Sequence, residues 1–316
     1  MPRNVVKELS EAGESRVVAR GRVSVVQHRT LGLGGSATAA VLWGFGGIFA
    51  ALAYAPGLVL AFYRLWVGAV VLVAVLYATR RRLTWSLLRS TWLGGILLAG
   101  DMALFYSAVK STSIVDVSVI GAFQPALVMI ISRRVFNERL ARGDVAWVVL
   151  AMVAATLTVI APGASQHHQV AGDMLALGSL VSFSVYWLVA KRARETCDAV
   201  GFTSGVTVVA AVAMTPVVLA SGQSLGQIRV SDWGWIVLLV VVPGSGHLVM
   251  NWAHRYVDAS ISSAMSCLSP LVAAVAAIPI LGQSLTLLQV GGVVVGLVAI
   301  AVIAVRQRQD LEPLLE

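Results

Sequence analysis

Ten stretches of about 20 mostly apolar residues follow one another along the chain, near 35–54, 57–78, 91–109, 114–132, 144–162, 172–190, 200–220, 234–253, 259–281 and 285–305. A hydrocarbon core of ~30 Å is crossed by about 20 helical residues, and in lipid each backbone N–H and C=O must be satisfied within its own segment. The pattern therefore predicts an all-α integral membrane protein with ten transmembrane helices. Composition agrees. Of the 316 residues 58% are hydrophobic and 12% charged, where soluble domains run at roughly half and a quarter. Ala55-Pro56-Gly57, Arg80-Arg81-Arg82, Pro162-Gly163 and Ser221-Gly222-Gln223 separate the segments with turn chemistry. Cys197 and Cys267 are too few for a disulfide framework.

The net charge of +8 matters less than where the charges fall. Twenty of the 23 Lys and Arg lie in the N-terminal tail, in the loops after the second, fourth, sixth and eighth segments, or in the C-terminal tail. Lys110 and Arg229 fall on the other side, and Arg64 falls within a segment. Cationic loops stay in the cytoplasm, so both termini are expected there. The same distribution gives no reason to expect a nucleic acid partner. Residues 1–34 form a charged tail without the apolar core of a signal peptide. Its stretch from Arg16 to Arg29 alternates basic residues with valine pairs, as a helix lying on a membrane surface does.

Displacing the chain against itself by 145 residues sets Pro125 on Pro270, Ser118 on Ser263, Lys110 on Arg255 and Leu140 on Leu285. Two five-helix halves follow, at 35–162 and 172–305, with a short tail at 306–316. Five is odd, so the second half enters the membrane from the opposite side. Inverted repeats belong mostly to secondary transporters, whose two halves exchange conformations around a central site.

Leu42-Trp43-Gly44, Pro56 followed by Arg64, the Ala108 helix end, Gln124-Pro125 and Asn137-Glu138-Arg139-Leu140 resemble the drug/metabolite transporter superfamily, and within it the ten-helix EamA branch. The resemblance spans about 35–305 and departs from the pattern in the second half, where Gln283 stands for Glu138 and Ser184 for Trp43. It implies a secondary transporter that exports amino acids or related small metabolites through a central cavity by alternating access; the tails, read as prokaryotic, place it in the cell inner membrane, and a monomer or homodimer is expected. The chain is similar to the amino-acid exporters, the aromatic group included. Drugs, sugars or nucleotide-sugars are the alternative cargo, and no cofactor is implied.

Asp101 is the only acidic residue well inside a segment. A carboxylate there costs at least ~2.5 kcal/mol, so it should face a cavity or a partner, bind a substrate ammonium or take up a proton. His247 and Asn251 are four apart on one helix face, with Met102 and Tyr106 as their repeat partners. They line a pocket or act as interhelical glue. Ser262, Ser266 and Ser269 precede Pro270 as Gln124 precedes Pro125, and carbonyls freed by either proline suit a water-filled cavity. Trp43, Tyr186 and Trp187 offer aromatic surface for an apolar side chain or an ammonium, or serve as interfacial belt residues.

The expected substrate-binding residues are therefore Trp43, Asp101, Tyr106, Gln124, Tyr186, His247, Asn251, Ser266 and Ser269. Arg64, Pro125, Glu138 and Pro270 are expected to be structural or gating, with Arg64 snorkelling to the outer interface. Gly292 and Gly296 form a small-residue face, with Trp147 and Ala151 opposite.

An enzyme is disfavoured. Leu98-Ala99-Gly100-Asp101 is similar to the aspartyl intramembrane protease motif but lacks the second carboxylate that chemistry needs. Ser245 and His247 point about 200° apart on a helix, so they form no nucleophile–base pair. The sequence carries no nucleotide-binding loop and no metal-ligand spacing.

Overall fold

The computed structural model describes residues 27–112, 114–138, 141–160, 169–281 and 286–309, and among them every regular element is helical. The helices are α1 (Gln27–Leu52), α2 (Gly57–Ala78), α3 (Trp85–Ser111), α4 (Ile114–Gly121 and Gln124–Val135), α5 (Arg142–Ile160), α6 (Val170–Ala193), α7 (Ala199–Ala220), α8 (Val230–Ala253), α9 (Ala259–Met265 and Leu268–Leu281) and α10 (Leu287–Gln309). Nine spans among the described residues are long and apolar enough to cross a membrane. The remaining expected segment is α5, whose 19 residues reach about 28 Å.

The first helix is already formed at Gln27, the first described residue, ahead of the expected 35. Glycines allow the extension, because a Cβ on Gly32 would lie 2.6 Å from Val257 and one on Gly35 2.9 Å from Trp252. Arg29 then reaches Gln307 Oε1 at 2.6 Å. The surface helix expected over 16–29 falls almost wholly outside the described residues, as do Arg139, Leu140 and Gln283.

Helices of the two halves interleave. The most extensive packing joins α3 to α6 and α7, α5 to α10, and α2 to α7. Lipid tails are as apolar as leucine, so helices associate by close packing of small residues rather than by hiding greasy faces. Gly292 and Gly296 belong to this scheme. A Cβ on Gly292 would lie 3.0 Å from the Ala154 carbonyl, and one on Gly296 2.7 Å from Leu271. Their face thus joins α10 to α5 and α9 within one chain, at Ala154 and Thr158 rather than at Trp147. Val149, Val153, Val294 and Val298 remain exposed on α5 and α10, as lipid-facing residues do.

Three apolar clusters result among the described residues, the smallest of which gathers Ala39, Val128, Trp187 and Met250. Of the two larger ones, one gathers Leu60, Leu98, Phe202, Val206 and Leu239 around α2, α3, α7 and α8. The other gathers Val148, Ile261, Met265, Leu271 and Ile303 around α5, α9 and α10.

Candidate functional site

A cavity of about 220 Å³ opens among α1, α2, α3, α4, α6, α8 and α9. Three of these helices break at its wall. The turn at Phe45 lies between Gly44 and Gly46 in α1, Ala122 and Phe123 interrupt α4, and Ser266 and Cys267 interrupt α9. Local chemistry explains the last two breaks. Pro125 and Pro270 have no N–H to donate, so the ladder tightens into short turns, with Ala126 N–H on the Phe123 carbonyl at 3.1 Å and Ser269 N–H on the Ser266 carbonyl at 2.9 Å. Irregular backbone at membrane depth is tolerated where it lines a cavity.

Asp101 and Arg64 stand in the wall, 5% and 7% exposed. The Ser179 hydroxyl donates to Asp101 Oδ1 at 2.6 Å. Arg64 is held elsewhere: Nε donates to the Leu239 carbonyl at 3.4 Å, a guanidinium nitrogen meets Met102 Sδ, and its Cζ lies 5.5 Å from the Tyr106 ring centroid. No ion pair joins the two among the described residues. Arg64 therefore faces the cavity rather than snorkelling outward, because α8 supplies a carbonyl that its side chain reaches inside the bundle.

Aromatic rings form the adjoining wall. Trp43 lies 5.6 Å from Phe183 and 5.1 Å from His247 between centroids, and its Nε1 donates to the Pro243 carbonyl at 3.1 Å. Gln124 accepts from the Ser266 hydroxyl at 3.2 Å. Gln124 Nε2 and His247 Nδ1 are buried without a hydrogen-bond partner. Unpaired polar atoms sealed in this way are costly in an apolar bundle, and both belong to side chains that line the cavity.

Of the residues singled out from sequence, Trp43, Asp101, Tyr106, Gln124, His247, Ser266 and Ser269 line the cavity together, with Pro270 beside them. Tyr186 and Asn251 do not. Asn251 Nδ2 donates to the Tyr186 hydroxyl at 3.1 Å and to Thr203 Oγ1 at 3.0 Å, so this pair is the interhelical glue that joins α6, α7 and α8. Trp187 is fully buried behind Trp43, 5.8 Å away. Ser179, Phe183 and Phe105 line the cavity and were not singled out. Spacing held a signal for them, since Ser179 and Phe183 are four apart on α6 and Phe105 is four beyond Asp101.

Ile48, Val109, Val117, Ala176 and Ala273 carry the lining toward the Leu52, Ser111 and Val170 ends of their helices. At the other end, side-chain hydrogen bonds cross between helices. Glu138 accepts from Ala259 N–H at 2.8 Å, from Ser260 N–H at 3.0 Å and from the Ser260 hydroxyl at 2.7 Å. Lys191 donates to the carbonyls of His254 and Val257 at 2.7 and 2.6 Å, and Arg194 Nε to that of Asn251 at 2.7 Å. An anion thus meets the free N–H groups that start α9, and cations meet the free carbonyls that end α8.

Comparison with known proteins places this architecture. The EamA-like transporter family profile matches twice, over residues 30–160 and 170–305, and the gap falls between the two halves. The uncharacterized transporter YyaM of Bacillus subtilis (strain 168) is 25% identical over 209 residues, 64% of this chain and 68% of that protein. YwfM of the same organism, also described as an uncharacterized transporter, is 28% identical over 185 residues, 56% of this chain and 61% of that protein. A protein of known crystal structure superposes with a TM-score of 0.73 at 18% identity, over 88% of this chain and 98% of that one, and so shares the fold. Two profile matches that together cover most of the chain, on two five-helix halves around a central cavity, make this multi-pass membrane protein a member of the EamA-like transporter family.

Proposed function

We propose that the protein is a secondary transporter that exports amino acids or related small metabolites across the cell inner membrane by alternating access, with both termini in the cytoplasm. One observation carries the substrate class. Asp101 and Arg64 stand in the wall of one cavity, each held by its own anchors and not paired with the other. A zwitterion complements such a wall, its ammonium on the carboxylate and its carboxylate on the guanidinium, while Trp43, Phe105 and Phe183 offer apolar contact. Size points the same way: about 220 Å³ falls below the roughly 300–1,000 Å³ of pockets that enclose drug-sized ligands.

In this reading the two halves rock about the cavity, and the Glu138 and Lys191 ties hold the cytoplasmic end closed in the conformation described above. Uptake of radiolabelled amino acids into liposomes holding the purified protein tests the proposal against empty liposomes. Saturable uptake that competing unlabelled amino acids suppress is the expected result. Uptake no faster than in empty liposomes, by protein with a cooperative thermal transition, refutes the substrate class.

A further inference from the structure

Among the described residues most helical hydroxyls bond backward to a carbonyl of their own helix. Ser184 donates to Leu180, Thr203 to Ala199, Thr207 to Thr203 and Ser36 to Gly32. Such bonds satisfy the hydroxyl at no demand on a neighbour. Ser179 breaks this habit. It is 6% exposed and spends its proton on Asp101 Oδ1 across the α3–α6 contact, at 2.6 Å, the distance of a charge-assisted O–H···O⁻ bond.

That contact is built to keep its register. One turn further along α6, the Ser182 hydroxyl donates to the Leu97 carbonyl at 2.8 Å, and Leu97 lies on the same face of α3 as Asp101. Glycines bring the helices together on both sides, since a Cβ on Gly100 would stand 3.1 Å from Ser182 Oγ and one on Gly178 3.1 Å from Leu104. Ser182 opposite Leu97, Ser179 opposite Asp101 and Gly178 opposite Leu104 describe an antiparallel seam between the two halves.

Only one oxygen of the carboxylate is engaged. Asp101 Oδ2 accepts no hydrogen bond among the described residues and is not sealed from access, and Asp101 lines the cavity. Without a hydroxyl on Oδ1 the carboxylate would be free to turn about its last torsion, and the Arg64 charge that already acts on Asp101 would draw it closer. The two charges would then neutralise each other and leave nothing for a zwitterion to bridge.

We propose that Ser179 is a positioning residue for substrate: by holding Asp101 Oδ1 across the α3–α6 seam, it presents Oδ2 to the substrate ammonium and keeps Asp101 apart from Arg64. The inference rests on the amino-acid reading above. It makes the second half of the protein a contributor to a carboxylate site that belongs to the first.

The test compares wild type, Ser179→Ala and Ser179→Thr in liposomes, with a transported amino acid and its desamino analogue, the same carboxylate with hydrogen in place of the ammonium. Losing one hydrogen bond to a charged group predicts a rise of about tenfold in KM for the amino acid with maximal rate within about twofold, and recovery in Ser179→Thr. Inhibition by the desamino analogue should not change. An unchanged KM in Ser179→Ala overturns the proposal, and so does an equal loss for the amino acid and its desamino analogue. Should Ser179→Ala fail to fold, Ser179→Thr and Ser179→Val form the test, because they match in shape and differ in the hydroxyl. Equal KM values for that pair refute the role. Wild-type liposomes that accumulate no amino acid overturn the substrate reading and this inference together, whereas wild-type uptake with an unchanged variant KM overturns this inference alone.

Discussion

Replacing Glu138 by glutamine tests whether the tie between α4 and α9 holds one end of the cavity closed. The carboxylate accepts three hydrogen bonds, from Ala259 N–H, Ser260 N–H and the Ser260 hydroxyl. Bonds to a charged acceptor are worth about 1.5–3 kcal/mol against about 1 for neutral ones, and glutamine also turns one acceptor into a donor that faces an N–H. Glu138 is half-buried, so water recovers part of the loss. A net cost of about 2 kcal/mol to the closed end is expected, which shifts an open–closed equilibrium by up to about 30-fold. A cysteine at Ser263, fully buried beyond the tie, reports the opening once Cys197 and Cys267 are replaced. Maleimide should label Ser263→Cys about tenfold faster or more when Glu138→Gln is added, as expected for a shift of about 1.4 kcal/mol or greater. Equal labelling rates would refute the reasoning. Since Gln283 is the repeat counterpart of Glu138, the substitution also makes the two halves alike at this position.

Asp101→Asn should lower amino-acid uptake efficiency at least tenfold while leaving the thermal transition in place, because removing a buried membrane carboxylate relieves a desolvation cost of at least ~2.5 kcal/mol; unfolding of the variant would assign Asp101 a structural role instead. His254, one residue beyond α8 and 1% exposed, is driven from 6.5 down to about 3 by burial and then by the Lys191 and Arg194 charges. The unfolded chain therefore binds a proton that the folded one refuses, so the stability His254 contributes is complete above about pH 6.5 and falls by about 1.4 kcal/mol per pH unit as pH drops toward 3. Tm measured from pH 7 to 4 should fall less in His254→Phe than in wild type, and parallel curves would contradict this. Gly292→Val should lower the yield of folded protein, because the Cβ position already lies 3.0 Å from the Ala154 carbonyl and α5 must move away; normal yield with unchanged Tm would show that α10 is not clamped there.

Part of the site was legible before any coordinates. Asp101 stood out because a carboxylate mid-span is costly, and Gln124, Ser266 and Ser269 because polar residues precede a proline at matched places in two repeats. All four line the cavity. Seven residues of helix fit a snorkelling Arg64 as well as one bent inward, and only the Leu239 carbonyl decides for the inward course, which leaves the expected structural role open. Asn251 shares a helix face with His247, yet the Tyr186 and Thr203 hydroxyls capture it before it reaches the cavity.

The sequence by itself determined that the chain carries helices long and apolar enough to cross a membrane and that its two halves repeat one family pattern. Segment length, repeat offset and cation placement are properties of a line, and the physics that reads them needs no third dimension. Which way each helix turns was decided only by tertiary structure. In lipid both faces of a helix are apolar, so little amphipathic signal marks the face that turns inward. The Ser179–Asp101 bond, the Arg64 bond to the Leu239 carbonyl and the Glu138 tie to α9 each join residues from different halves, and packing brought them together.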